Sequence, residues 1–66
     1  MPSTAISYYK YDPDRMSLRV RFVSGLLYEY KNVPERVYAA LKKATSKGGF
    51  LNRVIKGSYD YEKIEE

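Results

Sequence analysis

Over residues 16–23 the chain alternates. Met16, Leu18, Val20 and Phe22 face one way, and Ser17, Arg19 and Arg21 the other. This period of two predicts a half-buried strand. Ala5–Tyr11, rich in Ile and Tyr, predicts a strand before it, and Leu26–Lys31 one after it. Asp12-Pro13-Asp14-Arg15 predicts a turn, because Pro presets φ and the flanking Asp side chains can bond nearby amides. Ser24-Gly25 marks the next turn.

The length of that second turn decides where Tyr28 and Tyr30 point. A two-residue Ser24-Gly25 loop pairs Val20 with Glu29 and puts a carboxylate on the core face. A three-residue loop through Leu26 pairs Phe22 with Tyr28 and Val20 with Tyr30, and Glu29 then faces solvent. Burying an unpaired carboxylate is costly or forces its protonation. The three-residue loop with a bulge is therefore expected, and Tyr28 and Tyr30 read as mainly core residues.

Beyond residue 31 the period changes from two to 3.6. Val33-Pro34-Glu35 predicts a helix start, with Pro at the first helical position and an acid suited to the dipole. Val37, Ala40, Leu41 and Ala44 form the expected buried stripe, bordered by Tyr38, with Lys42 and Lys43 toward solvent. Thr45-Ser46 closes this helix and Ser46 caps a second, over about Lys47–Lys56. Its apolar side carries Phe50, Leu51, Val54 and Ile55; Asn52, Arg53 and Lys56 fall on the other side with Gly49. Gly57 suits the position just past a helix end. Ser58–Glu62 alternates Tyr59 and Tyr61 with polar residues, as a short edge strand or an extended tail docked on the core. Met1–Thr4 reads as a frayed end.

The expected fold is α+β: a three-stranded antiparallel β-meander packed with two helices, with a short fourth C-terminal strand as an addition. A small SH3-like barrel is the alternative. The chain has 66 residues, enough for one domain over 1–66 with its core at about 5–62. A domain this size buries only ~60% of the surface its unfolded chain exposes, so the core is thin. There is no Cys and no His, which excludes disulfides, thiol and imidazole catalysis, and zinc sites built on N or S ligands. No apolar run approaches the ~20 residues that span a bilayer, and no signal-peptide segment follows Met1. A cytoplasmic protein is expected.

The net charge of +4 is unevenly spread. Residues 1–31 carry +2, residues 32–57 carry +5 and residues 58–66 carry −3. Between Lys42 and Lys56 there are five basic residues and no acid, a block that attracts polyanions. Lys42, Lys43, Lys47, Arg53 and Lys56, with Asn52 as a polar neighbour, are the candidate nucleic-acid contacts, made to phosphates with little sequence reading. The plainer reading is a solubilising face. Ser46-Lys47-Gly48-Gly49 offers amides at a helix start to an anion, or is only a capped turn; it is not a P-loop. Arg19 and Arg21 either add phosphate contacts or merely solvate a strand. Eight Tyr residues supply flat apolar faces with polar tips. Tyr59 and Tyr61 either stack on bases or pack on the core, the second being favoured. No constellation activates a nucleophile or a general base, so the chain is read as no enzyme, with no cofactor and no metal.

In order, Tyr11-Asp12-Pro13, Leu18-Arg19-Val20-Arg21-Phe22, Ser24-Gly25, Tyr28-Glu29-Tyr30, Val33-Pro34-Glu35, Val37-Tyr38, Ser46-Lys47-Gly48, Phe50, Asn52-Arg53, Ile55 and Tyr59-Asp60-Tyr61 resemble the KTSC domain. That domain is named for its occurrence at the C-terminus of some lysyl-tRNA synthetases and also occurs as a free-standing small bacterial protein. The resemblance covers about residues 3–62, and its hallmark is the central Tyr-x-Tyr. It supplies no catalytic residues. It implies an association with RNA, tRNA or another structured RNA, which agrees with the charge pattern. The expected protein is thus a monomeric, non-catalytic RNA-binding module without membrane contact. A protein-interaction or accessory domain is the alternative.

Overall fold

Four antiparallel strands in the order β1-β2-β3-β4 form one sheet in the computed structural model, which describes residues 6–64. The strands are β1 (Ile6–Asp12), β2 (Ser17–Phe22), β3 (Leu27–Tyr30) and β4 (Tyr61–Ile64). Between β3 and β4 run α1 (Glu35–Lys43), a one-turn α2 (Lys47–Phe50) and a π-helical turn, Leu51–Ile55. The α+β meander with two helices forms as expected, and the optional fourth strand is present. β1 and β4 are the two edges of an open sheet, so the alternative SH3-like barrel does not form. The expected frayed end, Met1–Thr4, lies outside the described residues.

The Asp12–Arg15 turn forms as the side chains dictate: the Asp14 amide donates to Asp12 Oδ1 at 3.1 Å. Met16 departs from the strand pattern. It sits in the turn with φ 53° and is exposed, and β2 begins at Ser17. The β2–β3 loop has three residues, but they are Val23-Ser24-Gly25, one position earlier than expected. The Gly25 amide donates to Phe22 O at 2.8 Å and the Phe22 amide to Leu26 O at 2.9 Å. Gly25 has φ 99°, the left-handed residue that closes a type I turn with a bulge and that only glycine adopts cheaply. Leu18 therefore pairs with Tyr30 and Val20 with Tyr28, not Val20 with Tyr30. A shift of two residues leaves every side chain on its expected face. Tyr30 is 1% exposed in the core and Tyr28 is half-buried.

Leu18, Val20, Phe22, Tyr30, Val33, Leu41, Leu51 and Ile55 form the core between sheet and helices. Pro34 is the N-cap of α1 rather than its first residue: its ψ of 153° is extended, and its carbonyl accepts from the Val37 amide at 3.0 Å. The buried side of α1 is Val37, Tyr38 and Leu41, not Ala40, which is exposed. The Tyr38 ring turns the helix toward β1: it stacks on Tyr11 at 4.6 Å and meets Tyr9 edge-on at 6.1 Å. Tyr11 in turn donates its hydroxyl to Val33 O at 2.6 Å.

The second helix is shorter and wider than its sequence suggests. After one α turn the Lys56 amide donates to Leu51 O at 2.8 Å, a bond spanning five residues. This widening keeps Leu51 and Ile55 buried while Val54 becomes exposed. Lys56, with φ −62° and ψ 128°, and Gly57, with φ 87°, then make a type II turn closed by Ser58 N–H to Ile55 O at 3.1 Å. The chain leaves that turn through Tyr59 and enters β4. Among the described residues no helix is long and apolar enough to cross a membrane.

Candidate nucleic-acid interface

Two surfaces carry most of the cations. The first is the face of the sheet turned away from the helices. Register aligns Lys10, Arg19, Glu29 and Glu62 across the four strands. Glu29 stands opposite Glu62, a like-charge pair that destabilises unless countered. It is countered on both sides. Arg19 Nη2 lies 3.8 Å from Glu29 Oε1, and Lys31 Nζ donates to Glu62 Oε1 at 3.0 Å. That hydrogen bond, together with the charge of Glu62, pushes the Lys31 ammonium pKa up. The Glu29 side chain is only 13% exposed beneath this arrangement, more covered than the solvent-facing position expected for it. Arg21 Nη1 donates to Gly25 O at 3.1 Å and braces the hairpin turn. Arg19 and Arg21 thus serve the sheet itself. A cavity of about 110 Å³ on this face is lined by Lys10, Arg15 and Arg19 but also by Asp12 and Glu29, so its signs largely cancel.

The second surface is the helical segment, and here the charges are not balanced. Lys42, Lys43, Asn52, Arg53 and Lys56 are exposed and Lys47 is half-buried. Among the described residues none of these cations is within ion-pair distance of a carboxylate. Each is placed by a local cause. Lys42 and Lys43 occupy the last turn of α1, where cations suit the dipole. Lys42 Nζ sits over the Tyr38 ring, 5.0 Å from its centroid. Lys47 Nζ donates to Ala44 O at 3.3 Å, at the C-terminal end of α1. Lys47 and the Lys42–Lys43 pair therefore share the junction of α1 and α2. Arg53 folds back along the π-helical turn, its Nη1 3.2 Å from where a side chain on Gly49 would begin. Lys56 flanks the Gly57 turn on the way to β4.

Ser46-Lys47-Gly48-Gly49 forms the capped turn rather than an anion cradle. Ser46 Oγ accepts from the Gly49 amide at 3.2 Å, and a single α turn has little dipole to offer a phosphate. The acidic C-terminal stretch does not neutralise the helical cations through Glu62, which is engaged by Lys31; Glu65 and Glu66 lie outside the described residues. Two tyrosines separate in role. Tyr59 is half-buried against the core, as favoured, whereas Tyr61 is 60% exposed. Its exposure has no signal in the alternating pattern, which gives Tyr59 and Tyr61 the same face. Tyr59 is tied to the preceding turn, its amide donating to Ile55 O at 3.3 Å, whereas Tyr61 is the first residue of β4.

Residues 2–59 match the KTSC domain. A lysine–tRNA ligase of Nostoc sp. is 41% identical over 59 residues, which cover 89% of this chain and 10% of the ligase. The chain thus spans about a tenth of the curated ligases it resembles. An uncharacterised protein of Stutzerimonas stutzeri is 39% identical over 66 residues, covering 98% of this chain and 93% of that one. The crystal structure of a KTSC domain protein from Yersinia pestis superposes with a TM-score of 0.87 at 39% identity, over 98% of this chain and 92% of the other. The chain belongs to the KTSC domain family.

Proposed function

We propose that this KTSC domain is a non-catalytic RNA-binding module that contacts the phosphates of tRNA or another structured RNA. Lys42, Lys43, Lys47, Arg53 and Lys56 supply the contacts, and Asn52 adds a polar one. The observation that carries this reading is the charge imbalance: these cations lack carboxylate partners among the described residues, while Arg19 and Lys31 on the sheet have them. Surface cations without carboxylate partners repel one another; a polyanion relieves that repulsion and releases its counterions. The presence of a similar segment within lysine–tRNA ligases supports an RNA as the polyanion.

The test is titration with tRNA at several salt concentrations. Reversing Lys43, Arg53 and Lys56 together to Glu is expected to weaken binding at least about tenfold and to flatten the salt slope by about two to three. Unchanged affinity and slope reject the site. The alternative is docking of another protein. Binding to a purified partner that persists at high salt and survives those reversals would establish it instead.

A further inference from the structure

Tyr61 is 60% exposed, yet its ring packs against two others. Tyr28 meets it edge-on at 5.4 Å, and Tyr30 lies against it at 5.7 Å with the planes tilted by 42°. Tyr30 is itself fixed in the core. An exposed aromatic ring normally gives up rotamer freedom when a ligand covers it. Here two neighbouring rings already pack against the ring in the free protein, and the rest of its surface is open to a stacking partner.

A cleft of about 420 Å³ opens beside this ring, lined by Gly57, Ser58, Tyr59, Asp60 and Tyr61. That is within the usual size range of small-ligand sites. Gly57 contributes no side chain to this lining, and the Ser58 hydroxyl can donate or accept. Lys56 flanks it, exposed and without a carboxylate partner among the described residues. Asp60 is exposed, and no cation pairs with its carboxylate among the described residues. A carboxylate among the lining residues repels phosphate but accepts from the amino group of a base. The charge order therefore places a phosphate outside, at Lys56, and a base inside.

We infer that the Gly57–Tyr61 cleft takes one unpaired, amino-bearing RNA base, stacked on Tyr61 with Asp60 accepting from its amino group. This rests on the RNA-binding reading and sharpens it. The helical cations hold the backbone of any RNA, and the cleft selects RNA with a splayed-out or terminal nucleotide. Stacking of single-stranded bases on aromatic side chains is the common means of reading RNA outside duplexes.

The experiment uses pentanucleotides of cytidine and of uridine, which differ chiefly in an amino donor against a carbonyl acceptor. Oligocytidylate is expected to bind more tightly than oligouridylate. Tyr61→Ala is expected to weaken oligocytidylate at least about fivefold, while Tyr61→Phe retains binding within about twofold. Chemical-shift changes on the Tyr61 ring of the wild-type protein report the contact independently of any substitution. Unchanged affinity in Tyr61→Ala, or oligouridylate binding as well as oligocytidylate, overturns the inference. If Tyr61→Ala binds tRNA as wild type does while the triple charge reversal does not, the cleft fails and the RNA-binding reading stands. If neither wild type nor variant binds any RNA, both fail.

Discussion

The two charged surfaces of this domain obey different rules. On the open face of the sheet, register brings opposite charges together: Arg19 faces Glu29, and Lys31 reaches Glu62. The helical segment has as many cations in a shorter stretch and no such pairing among the described residues. Its positions are set by packing on the inner side, where Leu41, Leu51 and Ile55 are fully buried. The cations are what the outer side carries once that is done. One surface spends its charge on internal order. The other holds its cations without carboxylate partners among the described residues, a contrast that the net charge of +4 does not reveal.

The comparison can be broken in several ways. The largest effect is expected from Leu51→Ala, which empties a fully buried site where the π-helical turn meets the sheet. A loss of about 2–5 kcal/mol is expected in denaturant unfolding, and for so thin a core this approaches the whole stability. A small loss would mean that the helical segment is not anchored as its burial implies.

The next effect is one of pH. Burial pushes the Tyr30 hydroxyl pKa up to about 12, with Tyr28 and Tyr61 adding to the shift. In the unfolded chain tyrosine ionises near pH 10. The neutral ring is the form the core holds, so this contribution is complete below pH 10 and is lost as pH rises toward 12. It amounts to about 2–3 kcal/mol. Unfolding curves between pH 9 and 11.5 are expected to show this loss, and Tyr30→Phe to show less of it; identical pH profiles would place the Tyr30 hydroxyl in solvent.

Gly57→Ala comes third. Its φ of 87° opposes any side chain, and a cost of about 1 kcal/mol is expected from the backbone alone, since nothing stands within 4 Å of the added methyl. The smallest effect belongs to the sheet face. Arg19→Ala is expected to cost less than about 1 kcal/mol, the usual worth of a partly exposed cross-strand pair, and to leave RNA affinity within about twofold. An RNA loss equal to that of a helical cation would erase the distinction between the surfaces.

Much of this was legible in the sequence, because period is a strong signal wherever one face is buried. The strand over Leu18–Phe22, the placement of Tyr28 and Tyr30 by the cost of burying Glu29, and the Ser46 cap each followed from a single physical choice. Met16 is apolar and has the right parity for the strand, yet its left-handed backbone belongs to the turn. The hairpin loop falls one residue earlier than the sequence suggests because Gly25 serves as its last residue rather than its middle one. Ala40 fits the helical spacing of the buried stripe, but the bulkier Tyr38 ring turns the helix so that Ala40 is exposed. The π-helical turn has no spacing signature at all, since five residues are too few to show a period. Of the candidate interface, the basic block could be named from sequence, but the absence of carboxylate partners could not. Which carboxylates reach these cations depends on how the segments fold back on one another, and no local spacing shows that.

The most direct test of the central claim compares the salt dependence of tRNA affinity for three proteins: wild type, an Arg19→Glu variant of the sheet face, and the Lys43→Glu, Arg53→Glu, Lys56→Glu variant of the helical segment. The account predicts a slope within about one of wild type for the first variant and a slope smaller by about two to three, with weaker binding, for the second. Equal slopes in all three, or a larger loss from the sheet than from the helices, would contradict it.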